Sequence, residues 1–284
     1  MQKNNNEIVI SVAEMRAADA YTIAGGVPGR ELMYRAAFGV FENYDWEGKR
    51  AIVFCGGGNN GGDGYALAMI LAERGHEVSI VRVSEKLSED GAYYYEKCIE
   101  VTVPMLDLNG FEQNRTKSDN NAEFDVVVDC ILGTGFSGQV RGGAKKAIEL
   151  INDMRQAADI ISVDINSGMN GDTGEAELAV ISDLTVSIGF LKTGFLAGRA
   201  DELIGRLVNV DIGIRLPEDN IEKNRGQSRQ MRKKPRPKKR RIKRQKTQRK
   251  RQQLKRTIRR NHPQQKRIVQ RQEMNQNLAN SLPQ

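Results

Sequence analysis

Ten residues in the first quarter of the chain leave few folds open: Cys55-Gly56-Gly57-Gly58-Asn59-Asn60-Gly61-Gly62-Asp63-Gly64. An apolar run, Ala51-Ile52-Val53-Phe54, leads into them, and a helix-like pattern, Tyr65-Ala66-Leu67-Ala68-Met69-Ile70-Leu71-Ala72, follows. Strand, glycine loop and helix in that order make a cradle for a phosphate or another anion. Six glycines in ten residues predict backbone at positive φ and close approach by a ligand. Two asparagines and an aspartate add polar side chains that a mere turn would not need. The helix is expected over 63–74, with Asp63 at its positive end.

The rest of the chain repeats the strand–helix alternation. Ser11 and Glu14 form a capping-box pattern that predicts a helix to about residue 23. A glycine–proline break at 25–29 precedes a second helix over 30–44, with Leu32, Met33, Ala36, Ala37, Val40 and Phe41 on one face. Strands are expected over 50–55, 77–83, 101–106, 124–132, 160–163, 184–188 and 207–212. Helices are expected over 89–100 and 143–157, and a loop with a short helix over 109–121. Alternation with near-continuous apolar strands indicates an α/β chain with a parallel sheet covered on both faces. Such sheets bind ligands beyond the carboxyl ends of their strands. The polar segments 56–64, 129–138 and 164–168 fall at such ends and are expected to converge on one site.

Charge divides the chain. Residues 225–284 carry 23 Lys and Arg against one acid, Glu273, and the first 224 residues carry 21 against 35, so the net +8 combines +22 with −14. The expected organisation is a domain over 1–215 and a basic, disordered tail over 216–284. Three readings of the tail compete: an idle solvated segment, a non-specific electrostatic binder of nucleic acid, and an out-of-frame continuation. The tail has no aromatics, so base stacking is not available to it. The three cysteines, Cys55, Cys98 and Cys130, lack metal-type spacing and fit reduced thiols. With no signal-like N-terminus and no apolar run long enough to span a bilayer, the expectation is a cytoplasmic protein without membrane contact.

The motifs differ in weight. Gly56-x-Gly58-x-x-Gly61 and Gly133-x-Gly135-x-x-Gly138 both fit the dinucleotide fingerprint formally, but a tight turn fits equally. The acid expected near the end of the second strand for a ribose is at best Glu85, which reads as a solvated charge, as does Arg82. An ordinary NAD(P)-dependent oxidoreductase is therefore disfavoured. Asp129 and Asp164 lie at strand ends, and with Asn60 and Ser167 they make a hard-oxygen set suited to a hard cation. His76 and His262 are the only histidines and sit in no motif, which disfavours zinc. Lys192 reads equally as a holder of a substrate phosphate and as a surface lysine.

Three segments in order and at matching spacing resemble one family. They are 57–64, Gly-Gly-Asn-Asn-Gly-Gly-Asp-Gly; 128–135, Val-Asp-Cys-Ile-Leu-Gly-Thr-Gly; and 163–168, Val-Asp-Ile-Asn-Ser-Gly, followed by Asp172-Thr173-Gly174. The family is the NAD(P)H-hydrate epimerases, the YjeF N-terminal domain, and the resemblance spans about residues 8–215. It implies a three-layer αβα Rossmann-like fold and interconversion of the R and S forms of 6-hydroxylated NADH or NADPH, a repair of damaged cofactor. It implies substrate contacts from Asn59, Asn60, Gly61, Gly62 and Asp63, from Gly133, Thr134, Gly135, Phe136, Ser137, Gly138 and Gln139, and from Asp164. It implies a potassium ion on Asn60, Asp129 and Ser167. Expected partners are the small-molecule hydrate, a second copy in a homodimer, and an ADP- or ATP-dependent NAD(P)H-hydrate dehydratase. The chain departs from the family pattern at Tyr34, where an acid or amide is usual, at Asn166, where proline is usual, and at Phe136-Ser137-Gly138-Gln139, where a basic–proline pair is usual. The hydrate is a hemiaminal, so loss of water to an iminium and its return on the other face would exchange the epimers. Asp164 is the expected acid/base and Asp63 the second candidate. The alternative from another class is a non-catalytic RNA- or protein-binding module of the same fold.

Overall fold

The computed structural model describes residues 8–117 and 124–217. Residues 225–284, on which every reading of the basic tail rests, lie outside them. The capping box forms as expected: the Ser11 hydroxyl accepts from the Glu14 amide at 3.2 Å and the Glu14 carboxylate accepts from the Ser11 amide at 2.8 Å. It starts helix α1 (Val12–Ala24), and α2 (Gly29–Glu42) follows after the glycine–proline break. Seven strands then build one sheet: β2 (Arg50–Cys55), β3 (Glu77–Arg82), β4 (Met105–Asp107), β5 (Val126–Cys130), β6 (Asp159–Val163), β7 (Leu184–Ile188) and β9 (Arg206–Val210). Between them run α3 (Asn59–Glu73), α4 (Glu89–Glu100), α5 (Leu108–Lys117), α6 (Gly142–Met154) and α7 (Ala200–Leu203).

The sheet order is β4-β3-β2-β5-β6-β7-β9, and every pairing is parallel. Side chains of successive strand residues point to opposite faces, and both faces are apolar here. Val53 and Val128 face α2, α3 and α4, while Ile52, Phe54 and Val127 face α5 and α6. That two-sided burial makes the three-layer α/β fold. The chain leaves β2 toward β3 and β4, then returns across it to β5. Strand order reverses between β2 and β5, and the crevice at such a switch point is where an open α/β sheet binds ligands.

Three local expectations change. The third strand begins later than 101: Val101 caps α4, Thr102 takes φ 59°, and only Met105–Asp107 pairs with β3. The polar stretch after it holds a regular helix, α5, because Phe111 on that helix packs edge-on against Phe54 of the sheet, ring centroids 5.3 Å apart. A two-stranded parallel pair is new: β1 (Val9–Ile10) lies beside β8 (Leu191–Lys192). No helix among the described residues is long and apolar enough to cross a membrane. The three cysteines are buried and free.

Candidate active site

The glycine segment opens the site, but not as a loop. Helix α3 begins at Asn59, four residues before the expected start, so Asn59 to Gly64 are already helical. None of the six glycines from Gly56 to Gly64 has positive φ. Five of them are small because their surroundings are crowded, while Gly58 faces open space. A Cβ on Gly61 would meet the Gly56 carbonyl oxygen at 2.0 Å, and one on Gly64 would meet Cys55 Sγ and Cys130 Cβ at 2.8 Å. Asp63 therefore sits one turn inside the helix rather than at its positive end. Gly58 caps α3 without a side-chain hydrogen bond, so the first-turn amides stay available to an anion.

Strand β5 supplies the second wall. Its Asp129 is fully buried and takes four donors: the amides of Ile131 at 3.3 Å and Ser167 at 2.9 Å, the Ser162 hydroxyl at 2.8 Å, and the Ser167 hydroxyl. Burial pushes its carboxyl pKa up, and those four bonds pull against the shift. Ser167 also accepts from the Leu132 amide at 2.8 Å. Asn60 donates to the Leu132 carbonyl at 3.0 Å, while its own Oδ1 is buried without a hydrogen-bond partner. An unpaired buried carbonyl oxygen is costly unless something else meets it.

Asp164, just past β6, is the third wall. Its φ is 63°, and the Ile165 amide bonds back to the Val163 carbonyl at 2.7 Å. A positive φ inside an i to i+2 hydrogen bond is the strained γ-turn, rare for a residue with a side chain. The turn presents the carboxylate to the cleft, where Lys192 Nζ donates to Oδ1 at 2.5 Å and the Thr134 amide donates to Oδ2 at 3.3 Å. Lys192 is completely buried and also donates to the Ile188 carbonyl at 2.7 Å. It is thus neither a surface lysine nor a free phosphate holder.

Together these walls enclose a cleft of about 790 Å³, within the range of ligand-binding clefts. Asn59, Asn60, Asp63, Gly133, Thr134, Gly135, Phe136, Ser137 and Asp164 line it. Gly61 and Gly62 lie behind the lining, as do Asp129 and Ser167. Gly138 and Gln139 do not line it, and the Gln139 amide donates to Glu177 at 3.0 Å. Glu85 does not line the cleft, and the Arg82 guanidinium stacks over Tyr95, 4.9 Å from the ring centroid.

Sequence reasoning missed a fourth wall. Met15, Arg16 and Asp19 of α1, with Leu32 and Met33 of α2, close the cleft on the helical side. Arg16 reaches across to the Thr134 carbonyl at 3.0 Å. Asp19 is pushed up to about 6 by burial and by the charge of Asp164, against the pull of Lys192. Asp63 is raised well above the usual carboxylate range by burial, Asp164 and Asp19. Nothing local in the sequence of α1 marks Asp19, because its neighbours in the cleft come from distant segments. Asn166, at the family's proline position, is fully buried; its amide donates to Ser182 Oγ at 2.6 Å and its oxygen accepts from Thr185 at 2.9 Å.

The chain matches the family described as "YjeF-related protein N-terminus" over residues 29–194. It is 34% identical over 213 residues to a protein of Lentilactobacillus buchneri named NAD(P)H-hydrate epimerase, a match covering 72% of this chain and 94% of that one. A protein of Levilactobacillus brevis with the same name is 32% identical, with 76% and 98% covered. The bifunctional NAD(P)H-hydrate repair enzyme Nnr of Methanothermobacter thermautotrophicus is 36% identical over 217 residues, 73% of this chain, and the match spans 41% of that longer protein. The crystal structure of yeast ynu0 has the same fold: TM-score 0.63, 23% identity, with 76% of this chain and 92% of that one covered.

Proposed function

The chain belongs to the YjeF-related N-terminus family, and from that premise we propose that it interconverts the R and S forms of 6-hydroxylated NADH and NADPH. The names of the relatives support the reading, since the match runs nearly the full length of those named epimerase. The observation that carries it is the convergence of three carboxyl groups, Asp19, Asp63 and Asp164, with a buried lysine in one dinucleotide-sized cleft at the switch point. An uncapped helix N-terminus opens on the same cleft and suits the substrate's pyrophosphate.

The chemistry follows from those groups. Burial and the neighbouring negative charge of Asp164 and Asp19 favour the protonated form of Asp63, which suits it to donate to the departing C6 hydroxyl. Asp164, placed by its γ-turn and its pairing with Lys192, faces the positive charge that forms when the ring nitrogen pushes out water. With Asp63 it takes the proton back when water returns on that same face. Met15, Leu32 and Met33 keep bulk water from competing. Potassium fits beside this machinery. Asn60 Oδ1 lacks a partner, and the Asn60 amide and the Ser167 hydroxyl share the Leu132 carbonyl, so Asn60 and Ser167, with Asp129 bonded to Ser167, would hold the ion. When bound, the ion would supply positive charge that fixes the loop and steadies the substrate's phosphates. The bifunctional relatives support a second repair step on the same hydrates, which we assign to an ADP- or ATP-dependent dehydratase.

The test is to supply pure R hydrate and follow the S form by chromatography, with potassium and with sodium. Conversion well above the protein-free rate, faster in potassium, is expected. No conversion in either salt overturns the reading.

A further inference from the structure

We propose that Asp19 is a third catalytic carboxyl that serves the ring face opposite the one served by Asp164. The inference rests on the epimerase reading and adds what that reaction demands of its site. Water must leave C6 on one face and return on the other. By microscopic reversibility each face needs a group that can give and take a proton. Asp63 and Asp164 come from α3 and the end of β6, on the sheet side of the cleft. Asp19 comes from α1, the separate wall laid over it.

The geometry sets Asp19 apart from a structural acid. Buried Asp129 is held by four donors, but no hydrogen bond among the described residues ties down the Asp19 carboxyl. Its helix is fixed instead at other points: by the capping box, by Asp172 accepting from the Val12 amide at 2.8 Å, and by Arg16 on Thr134. The charged groups around it are Arg16 on its own helix, Asp63 on α3, Asp164 beyond β6 and Lys192 on β8. Among these its pKa is pushed up to about 6 by burial and by Asp164, so its protonated and ionised forms both lie within reach near neutral pH. One carboxyl can then act as acid in one direction and base in the other.

The step balances. From one epimer, Asp63 and Asp164, acting as one pair, give a proton to the hydroxyl, the C6–O pair leaves with water, and the nitrogen lone pair forms the C=N bond of the iminium. Water then attacks C6 from the α1 side, the C=N pair returns to nitrogen, and the surplus proton passes to Asp19. The reverse reaction exchanges the roles.

Solvent labelled with oxygen-18 tests the assignment. In wild type each epimer both takes up label and crosses to the other. Asp19→Asn is expected to lose crossing by about 100-fold yet keep label uptake into one epimer. Asp164→Asn is expected to lose crossing too but keep uptake into the opposite epimer. Asp19→Glu, with its carboxyl retained, should recover crossing. Equal loss of uptake from both epimers in Asp19→Asn, or no loss, overturns the proposal. A wild type that neither crosses nor takes up label instead removes the epimerase reading beneath it.

Discussion

At the scale of single residues, Asp164 concentrates the site's cost and its use. A positive φ on a non-glycine residue costs about 1–3 kcal/mol, and here it aims a carboxylate at a buried ammonium. After glycine, asparagine is among the residues that best tolerate the left-handed region, so Asp164→Asn should fold. We expect it to slow interconversion by on the order of 100-fold or more, measured by chromatography of the epimers; an unchanged rate would remove Asp164 from the mechanism. Lys192→Met leaves that carboxylate unpaired and should cost roughly 3 kcal/mol or more in denaturant unfolding. Adding Asp164→Asn to it should return part of the loss, and strict additivity would show that the pair is not coupled. The sequence marked Asp164 by its place after a strand. It singled out Lys192 but could not show its burial, because that depends on contacts with Asp164 and on the pairing of β8 with β1, segments distant in the chain.

Among the elements, α3 shows tertiary packing overriding local preference. Gly61, Gly62 and Gly64 each cost about 1 kcal/mol in a helix relative to alanine, yet the helix extends through all three. It does so because only glycine lets α3 approach β2, β5 and α4 this closely. Gly→Ala normally stabilises a helix; here Gly64→Ala should destabilise by about 1–3 kcal/mol, since the new methyl would press on Cys55 and Cys130. Thermal melts would check this, and a rise in melting temperature would show that the contact is not limiting. The run of apolar residues after Gly64 announced the helix body. Its true start was hidden, because Asn and Gly read as loop when their neighbours in space are unknown.

For the molecule as a whole, the site makes stability depend on pH. Asp19 releases its proton near 3.8 in the unfolded chain and near 6 when folded. The folded state therefore binds more protons between these values, and Asp19's contribution to stability is present below about 4 and lost as pH rises through 6. Asp63, raised for the same reasons, extends that loss to higher pH. Asp19→Asn should accordingly melt close to wild type near pH 3.5 and above it near pH 7.5, while crossing between epimers slows. A melting difference that stays flat with pH would contradict the burial of this carboxyl. An active cleft that costs stability is a common compromise.

The sequence by itself determined the alternation of strands and helices, the two-sided parallel sheet, and the three segments that meet at its carboxyl edge. Those follow from apolar periodicity and chain order, which are local. It also placed Asn60, Asp63, Asp129, Asp164 and Ser167 at or behind one site. Tertiary structure alone decided the conformation of the glycine segment, which is packed helix rather than flexible cradle. It alone buried Lys192 against Asp164, left Asn60 Oδ1 without a partner, and brought Asp19 of α1 over the cleft. Each of these is a contact between distant segments, and its energy is set by what is desolvated together, which no window of neighbouring residues contains.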